Sequence, residues 1–142
     1  MTATATTRQP TTDRTRPRTT LYRVLSSLTS LTVILQGLWA GIFLEHDGER
    51  DAASSWIDVH ARGADVAIVL GLLATVAAFV RLRSRRDLWL GSGLLTVLLV
   101  VESYIGGLIR DDGKDTLTAV HVPLAMAVLA LAIWLPVRAG RR

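Results

Sequence analysis

The stretch Leu117-Thr118-Ala119-Val120-His121-Val122-Pro123-Leu124-Ala125-Met126-Ala127-Val128 begins a long apolar segment and carries a histidine near its start. Three more apolar segments precede it, so that the four cover residues 21–44, 57–80, 88–109 and 116–137. A helix needs about 20 residues to cross a hydrocarbon layer of roughly 30 Å. Each segment is long enough, and half of the 142 residues are apolar. We therefore expect an all-α integral membrane protein with four transmembrane helices.

Short connections join these segments, which favours antiparallel neighbours in an up-down-up-down four-helix bundle over residues 21–137. In that arrangement the second and fourth spans face each other diagonally. Residues 1–20 are rich in Thr, Arg and Pro and predict a disordered basic tail, and residues 138–142 form a second basic tail. The first span is too long for the apolar region of a signal peptide, so we expect it to remain as an uncleaved anchor.

Charge predicts the orientation of the bundle. Arginines dominate the segment before the first span, the connection between the second and third spans, and the segment after the fourth, whereas the other two connections are mainly acidic. By the positive-inside rule both termini are cytoplasmic, N-in and C-in. The strong preference for Arg over Lys suggests a GC-rich bacterial genome, and so a multi-pass protein of the bacterial plasma membrane that contacts the lipid bilayer.

The composition also excludes several classes of function. The basic residues flank the spans and form no basic face with interleaved aromatic residues, so we expect no nucleic-acid partner. The chain has no cysteine, which removes disulfides, thiolate metal ligands and covalent haem attachment. We find no nucleophile triad, phosphate loop or zinc-protease motif, so soluble-enzyme chemistry has no support and enzymatic activity stays undecided.

Two histidines lie inside apolar segments, His60 in the second span and His121 in the fourth. Both fall near the outer ends of their spans, at similar depth and on diagonal helices. Small residues continue the face of each histidine, for example Ala64 and Gly71 below His60. Such a pair suits bis-histidine ligation of haem b, with Arg62 placed to bind a propionate. The alternative is that both are interfacial polar residues with no cofactor.

Other polar residues lie within the spans, and their depth predicts where they point. Glu102, Gln36 and Asp65 should face the bundle interior, because a carboxylate in hydrocarbon costs at least a few kcal/mol unless it is paired, protonated or hydrated. Tyr104 and Arg62 are the partners we expect for them. These groups could tune a bound haem as a second layer around it, or could simply hold the helices together.

Small residues predict where the helices approach one another. In a membrane, helix contact faces are commonly marked by residues that let the backbones come close. The first span carries Gly37 and Gly41 in G-x-x-x-G spacing, and the third carries Ser103 and Gly107 four residues apart. We expect both pairs to lie at helix contacts.

Three stretches together resemble one four-helix half of the haem A synthase family. They are Trp56 to Arg62, Ser103 to Leu108, and Leu117 to His121. The resemblance implies a four-helix bundle with His60 and His121 as axial haem ligands. The chain also resembles small four-span bacterial membrane proteins that have the same histidine pair. It departs from haem A synthases in having one half only, no cysteine, and Ile57 where an acidic residue stands, which argues against haem A synthesis.

Three functions are consistent with these features. The first is a haem b protein that transfers electrons or senses redox state. The second is a cofactor-free subunit or scaffold that assembles with a membrane protein partner or with further copies of itself. The third is proton-coupled transport through Glu102 and Asp65, which would require oligomerisation because four spans without a repeat make a poor transporter alone.

Overall fold

The fold consists of four long helices in the part of the chain that the structure, a computed structural model, describes: residues 16–46 and 49–141. The helices are α1 (Arg16–Leu44), α2 (Arg50–Arg81), α3 (Arg86–Asp112) and α4 (Thr118–Gly140). A single 3-10 turn, Asp115–Leu117, leads into α4. The described residues contain no strand. All four helices are long and apolar enough to cross a membrane.

The helices are longer than the predicted spans. The helix α1 begins at Arg16, so residues 16–20 of the expected disordered tail are helical, whereas residues 1–15 lie outside the described residues. Pro17 stands in the first turn, where the lack of an N–H costs no hydrogen bond. The helix α2 begins at Arg50, before its apolar segment, and α4 continues to Gly140, into the expected second tail.

The contacts between helices place α2 diagonally opposite α4. The helix α2 packs on α1 and α3, and α4 packs on the same two helices. Among the described residues no Cα pair within 8 Å joins α2 to α4 or α1 to α3. Together with the short connections this is a four-helix bundle in which successive helices are neighbours, and the predicted diagonal of the second and fourth spans is confirmed.

The bundle core contains two clusters of buried apolar residues. The cluster at the end where α2 joins α3 includes Tyr22, Ala78 and Leu88, and the central cluster includes Ala67, Leu99 and Ala132. The buried small residues of α2 confirm that Ala67, Gly71, Ala74 and Ala78 face inward. We call the end with the first cluster the inner end and the opposite end the outer end.

The buried face of α1 is polar, and this corrects the prediction for Gly37 and Gly41. Ser26, Thr29 and Ser30 are buried on this face. Both glycines are exposed, and a Cβ atom on either would meet nothing within 4 Å, so they are not at a contact within the bundle. The face of α1 that packs on the other helices is instead the one with Ser30, which bonds to α4, while Ser26 and Thr29 bond to carbonyl oxygens of α1 itself. A Cβ atom on Gly107 would likewise meet nothing within 4 Å.

A proline in α4 explains one hydrogen bond between helices. Pro136 has no N–H, so the carbonyl oxygen of Ala132, four residues earlier, loses its partner within the helix. The Ser30 hydroxyl of α1 lies 2.5 Å from that oxygen and donates to it, while also lying 2.8 Å from the Ser26 carbonyl oxygen. Ser30 therefore satisfies a buried carbonyl that α4 cannot satisfy itself.

An ion-pair network closes the inner end. Asp87, in the first turn of α3, accepts hydrogen bonds from Arg85 at 3.0 and 3.1 Å and from Arg138 at 2.8 Å. Arg85 also donates to the Arg138 carbonyl oxygen at 3.2 Å, near the end of α4. The hydrogen bonds with Asp87 are the main cause of the raised pKa of Arg85. The network joins the connection between α2 and α3 to the last turn of α4.

Candidate functional site

His60 is half-buried and hydrogen-bonded to the neighbouring helix. It is the eleventh residue of α2, and its Nδ1 atom lies 3.1 Å from the backbone carbonyl oxygen of Gln36 on α1. The ring of Phe43 packs edge-on against the imidazole, with 5.5 Å between ring centroids. Since a carbonyl oxygen only accepts, Nδ1 carries the hydrogen in this bond. In the neutral ring Nε2 then keeps its lone pair.

His121 has a different partner for the same atom. Its Nδ1 contacts the Oε2 atom of Glu102, which lies on α3. The two atoms are in direct contact as an ion pair, although the geometry is not that of a hydrogen bond, and the other Glu102 oxygen has no hydrogen-bond partner among the described residues. A carboxylate beside Nδ1 holds a hydrogen there, which again leaves Nε2 as the nitrogen with a lone pair.

The two histidines lie at matching heights in the bundle. Both are roughly 30 Å from the inner ends of their helices, at a rise of about 1.5 Å per residue. His60 is within electrostatic range of both His121 and Glu102. The site therefore brings together two imidazoles from diagonal helices and one carboxylate, and Glu102 is only 7% exposed. We call Gln36, His60, Glu102 and His121 the outer polar cluster.

Close packing surrounds this cluster on two sides. A Cβ atom on Gly63 would clash with the Gln36 amide and the Trp39 ring, so α1 and α2 approach closely there. A Cβ atom on Gly106 would lie 3.5 Å from Cε1 and 4.0 Å from Nε2 of His121. Gly106 therefore lies beside the ring edge that includes the nitrogen free of Glu102.

Buried polar atoms without partners mark the cluster. The amide nitrogen and oxygen of Gln36 and Oε1 of Glu102 are buried without a hydrogen-bond partner among the described residues. A buried polar group without a partner costs about 1–3 kcal/mol. Such groups are few in native proteins and call for an explanation, for example a functional role.

The structure brings some predicted residues into the cluster and leaves others out. The prediction that Glu102 and Gln36 point inward is confirmed for the Glu102 carboxylate and the Gln36 amide. The prediction is wrong for Asp65, which lies on the exposed side of α2. Tyr104 is 68% exposed and is not a partner of Glu102. Arg62 is also exposed and points away from the interior.

Asp65 and Tyr104 each have a physical reason to lie outside the bundle interior. Asp65 lies within electrostatic range of Arg110 on α3. The negative charge of Asp65 can therefore be partly balanced outside the core. Tyr104 has a ring that tolerates an apolar exterior. Because Asp65 is exposed and Glu102 is buried, the two do not share the bundle interior. The proposed proton path through both residues therefore loses its geometric basis.

Sequence reasoning missed the pairing of Glu102 with His121 and the packing of Phe43 and Gly63. The depth of Glu102 was the available signal, since it placed the carboxylate level with a histidine. The rotation of α3 that turns this carboxylate toward α4 has no marker in the sequence. Gly106, next to His121, lies in the glycine-bearing end of α3 that the sequence had indicated.

Two cavities in the described part of the chain lie away from both histidines. One, of about 420 Å³, lies between α2 and α3 near the inner end, and Phe79, Trp89 and Gly93 line it. The other, of about 470 Å³, lies toward the outer end between the same helices, and Ser103, Tyr104 and Gly107 line it. Nor do the described residues contain a group of three or more His, Asp or Glu side chains that could hold a metal ion. A ligand at the cluster would thus depend on the histidine pair alone.

His46, the third histidine, is bound within its own segment. Its Nδ1 lies 3.0 Å from the carbonyl oxygen of Ile42, one turn earlier in α1. It has no part in the outer polar cluster and provides an internal comparison for the other two histidines.

Comparison of the chain with known proteins finds no matching family model, no matching curated protein and no matching solved structure.

Proposed function

We propose that this protein is a membrane-spanning haem b protein in which His60 and His121 supply the two axial nitrogens. The observation that carries the proposal is that the two imidazoles have the same nitrogen, Nδ1, in contact with a protein oxygen. In each ring Nδ1 is engaged by an oxygen of the neighbouring helix, the Gln36 carbonyl or the Glu102 carboxylate. Histidines that bind metals commonly have this arrangement, with the second nitrogen held by a carbonyl or carboxylate and the other one left for the metal.

The residues of the cluster fit such a group in three respects. Both Nε2 atoms are left for ligation, the histidines come from diagonal helices, and they lie at one level. A Cβ atom on Gly106 would make ordinary van der Waals contact with the His121 ring, so the space beside the ring is that of one methyl group. Arg62, exposed and two residues after His60, remains our candidate for pairing with a propionate. Glu102 and Gln36 remain candidates for tuning the group, with Glu102 the best placed because it contacts a ligand side chain, whereas the exposed Asp65 and Tyr104 do not.

Haem bound in this way would supply one-electron chemistry, suited to electron transfer or redox sensing. The chain's own contribution is to hold the two imidazoles in one tautomer and to surround them with helices. The Gln36 carbonyl cannot be displaced by side-chain motion, so it fixes the His60 ring firmly. The resemblance to one half of a haem A synthase is consistent with this role, without the synthetic activity.

The proposed setting is the bacterial plasma membrane, N-in and C-in. Its support is the length and apolar character of the four helices, together with the arginines gathered at the inner end. Many apolar side chains also face outward along the helices, including Leu38, Val69, Val97 and Met126. A surface of this kind suits lipid contact.

Visible spectroscopy tests the haem proposal directly. The protein is purified in mild detergent from haem-supplied cells, and its oxidised and dithionite-reduced spectra are recorded. We expect a low-spin b-type spectrum that is lost in His60→Ala and His121→Ala and kept in the matched control His46→Ala. A colourless, folded wild-type protein, or a spectrum that survives the double substitution, would overturn the proposal.

A second function, that of a cofactor-free membrane subunit, is favoured by the outward-facing glycines of α1. Gly37 and Gly41 leave a stretch of α1 with no packed neighbour, where a helix of a partner or of a second copy could approach closely. Assembly measured by crosslinking in native membranes decides this. It should persist in the double variant His60→Ala, His121→Ala and be weakened by Gly41→Leu if the subunit function is right.

A further inference from the structure

The inner cavity between α2 and α3 has the shape of an open apolar groove. Val76, Phe79, Trp89, Gly93 and Leu94 line it, and its volume is about 420 Å³. Several of these side chains are exposed, with Phe79 at 46% and Leu94 at 54%. We call this surface the inner groove. It spans roughly one and a half helical turns, or about 8 Å, along the bundle.

The surface of the groove is almost entirely apolar. Thr75 also lines it, but its hydroxyl lies 2.8 Å from the Gly71 carbonyl oxygen and 3.1 Å from the Thr96 hydroxyl, inside the helix pair. The methyl group of Thr75 is therefore the part of this side chain that lines the groove. A Cβ atom on Gly93 would lie 3.8 Å from that methyl, so the absence of a side chain at Gly93 opens the groove. The occupant of such a surface must be a hydrocarbon.

An unpaired positive charge lies at the mouth of the groove. The guanidinium carbon of Arg83 lies 4.9 Å from the centre of the Phe79 ring, which in turn packs edge-on against Trp89. Arg85 and Arg138 nearby are both paired with Asp87. Among the described residues no carboxylate forms an ion pair with Arg83, nor with its neighbours Arg81 and Arg86. The mouth thus carries positive charge that this part of the chain leaves uncompensated.

We infer that the inner groove binds an anionic phospholipid, with the phosphate on Arg83 and the first part of an acyl chain along Phe79, Trp89 and Gly93. The combination of hydrocarbon surface and uncompensated guanidinium matches the two ends of such a molecule. A guanidinium binds phosphate oxygens in a bidentate manner, and it stacks on aromatic faces, as Arg83 already does. The inference rests on the membrane insertion proposed above and is independent of haem.

Native mass spectrometry provides the test. The full chain in mild detergent is mixed with equal amounts of phosphatidylglycerol and phosphatidylcholine that carry identical acyl chains. We expect bound phosphatidylglycerol to exceed phosphatidylcholine by roughly five-fold, because the choline of phosphatidylcholine offsets its phosphate charge and one basic residue near an anionic lipid allows a preference of this size. Arg83→Gln should bring the two lipids to equal binding, and Gly93→Leu should remove the bound lipid by filling the groove.

A matched control and a folding check complete the experiment. Gly107→Leu fills the other α2–α3 cavity, which is rimmed by Asp111 and Asp112, and should leave lipid binding unchanged. Circular dichroism verifies that each variant keeps its helix content. Equal binding of both lipids to the wild type, an unchanged preference in Arg83→Gln, or lipid retained in folded Gly93→Leu would each overturn the inference. The haem spectrum is read separately, so failure of one proposal is distinguishable from failure of the other.

Discussion

His60 on α2 is bonded through Nδ1 to the backbone carbonyl oxygen of Gln36 on α1, at 3.1 Å, while the side-chain amide of the same Gln36 is buried without a hydrogen-bond partner among the described residues. One residue thus satisfies the histidine with its backbone and leaves its own side chain unsatisfied. The two roles can be separated by substitution, because a change of side chain leaves the carbonyl in place.

Gln36→Leu should therefore keep the His60 bond and remove two buried unpartnered atoms. We expect the free energy of unfolding in detergent to stay equal or to rise by about 1 kcal/mol, since replacing an unsatisfied polar group by an apolar one of similar size is often stabilising. Thermal unfolding followed by circular dichroism measures this. A loss of more than about 1 kcal/mol would mean that the amide has a partner that the described residues do not contain.

Glu102→Ala should weaken haem binding by roughly ten-fold or more, because groups that orient metal-ligating histidines typically contribute about 10–100-fold in affinity. Glu102→Gln keeps an oxygen that can accept from His121 Nδ1 and should lose less. Titration of haem into the apo-protein measures both. If the two variants bind equally well, Glu102 does not orient His121.

Gly63→Ala should destabilise the protein by about 1–3 kcal/mol, because its methyl group would enter the space of the Gln36 amide and the Trp39 ring. Gly37→Ala is the matched control, since nothing lies within 4 Å of that position. We expect the control to be neutral or slightly stabilising through better helix propensity. Thermal unfolding of both variants checks the difference, and equal effects would refute the close approach of α1 and α2 at Gly63.

Ser30 and Pro136 should be energetically coupled. Ser30→Ala leaves the Ala132 carbonyl oxygen without a partner and should cost about 1–2 kcal/mol. In a Pro136→Ala background the new N–H of residue 136 can bond that oxygen, so the same substitution should cost less by about 0.5 kcal/mol or more, a coupling of the size seen between contacting residues. A double-mutant cycle measured by unfolding tests this. Strictly additive effects would contradict the exchange of donors.

Asp87→Asn should loosen the inner end, because Arg85 and Arg138 both lose their charged partner. The pairs are partly exposed, so we expect a loss of only about 0.5–1 kcal/mol, which shrinks at high salt. Asp111→Asn is the control, since Asp111 pairs only with its neighbour Arg110 in the described residues and ties no helices together. Unfolding at low and high salt compares the two. Salt-independent or identical losses would argue against the network.

The sequence predicted the four helices, their order and the diagonal of α2 and α4, because apolar length and short connections determine these. It also placed Glu102 and His121 at the same level along the bundle, where they are in contact. Rotation of each helix about its axis was harder to predict. In a chain with apolar residues on all sides, hydrophobic periodicity does not distinguish the inside from the outside.

The errors reflect this limit. Gly37 and Gly41 suggest one face of α1, but the face that packs on the other helices is the one with Tyr22, Ser30 and Val33. Depth alone predicts Asp65 and Tyr104 inside the bundle, and both lie outside. Polar hydroxyl and amide groups spaced along one helix face are the better guide to orientation.

The way the histidines are bonded divides the outer end of the bundle into two halves. His60 ties α2 to α1, and His121 ties α4 to α3. Hydrogen bonds that cross between these halves, such as Ser30 to Ala132 and Thr75 to Thr96, lie farther toward the inner end. Side-chain hydrogen bonds between the two halves are therefore found in the central and inner parts of the bundle, and a ligand that joined the two imidazoles would add a link between the halves at the outer end.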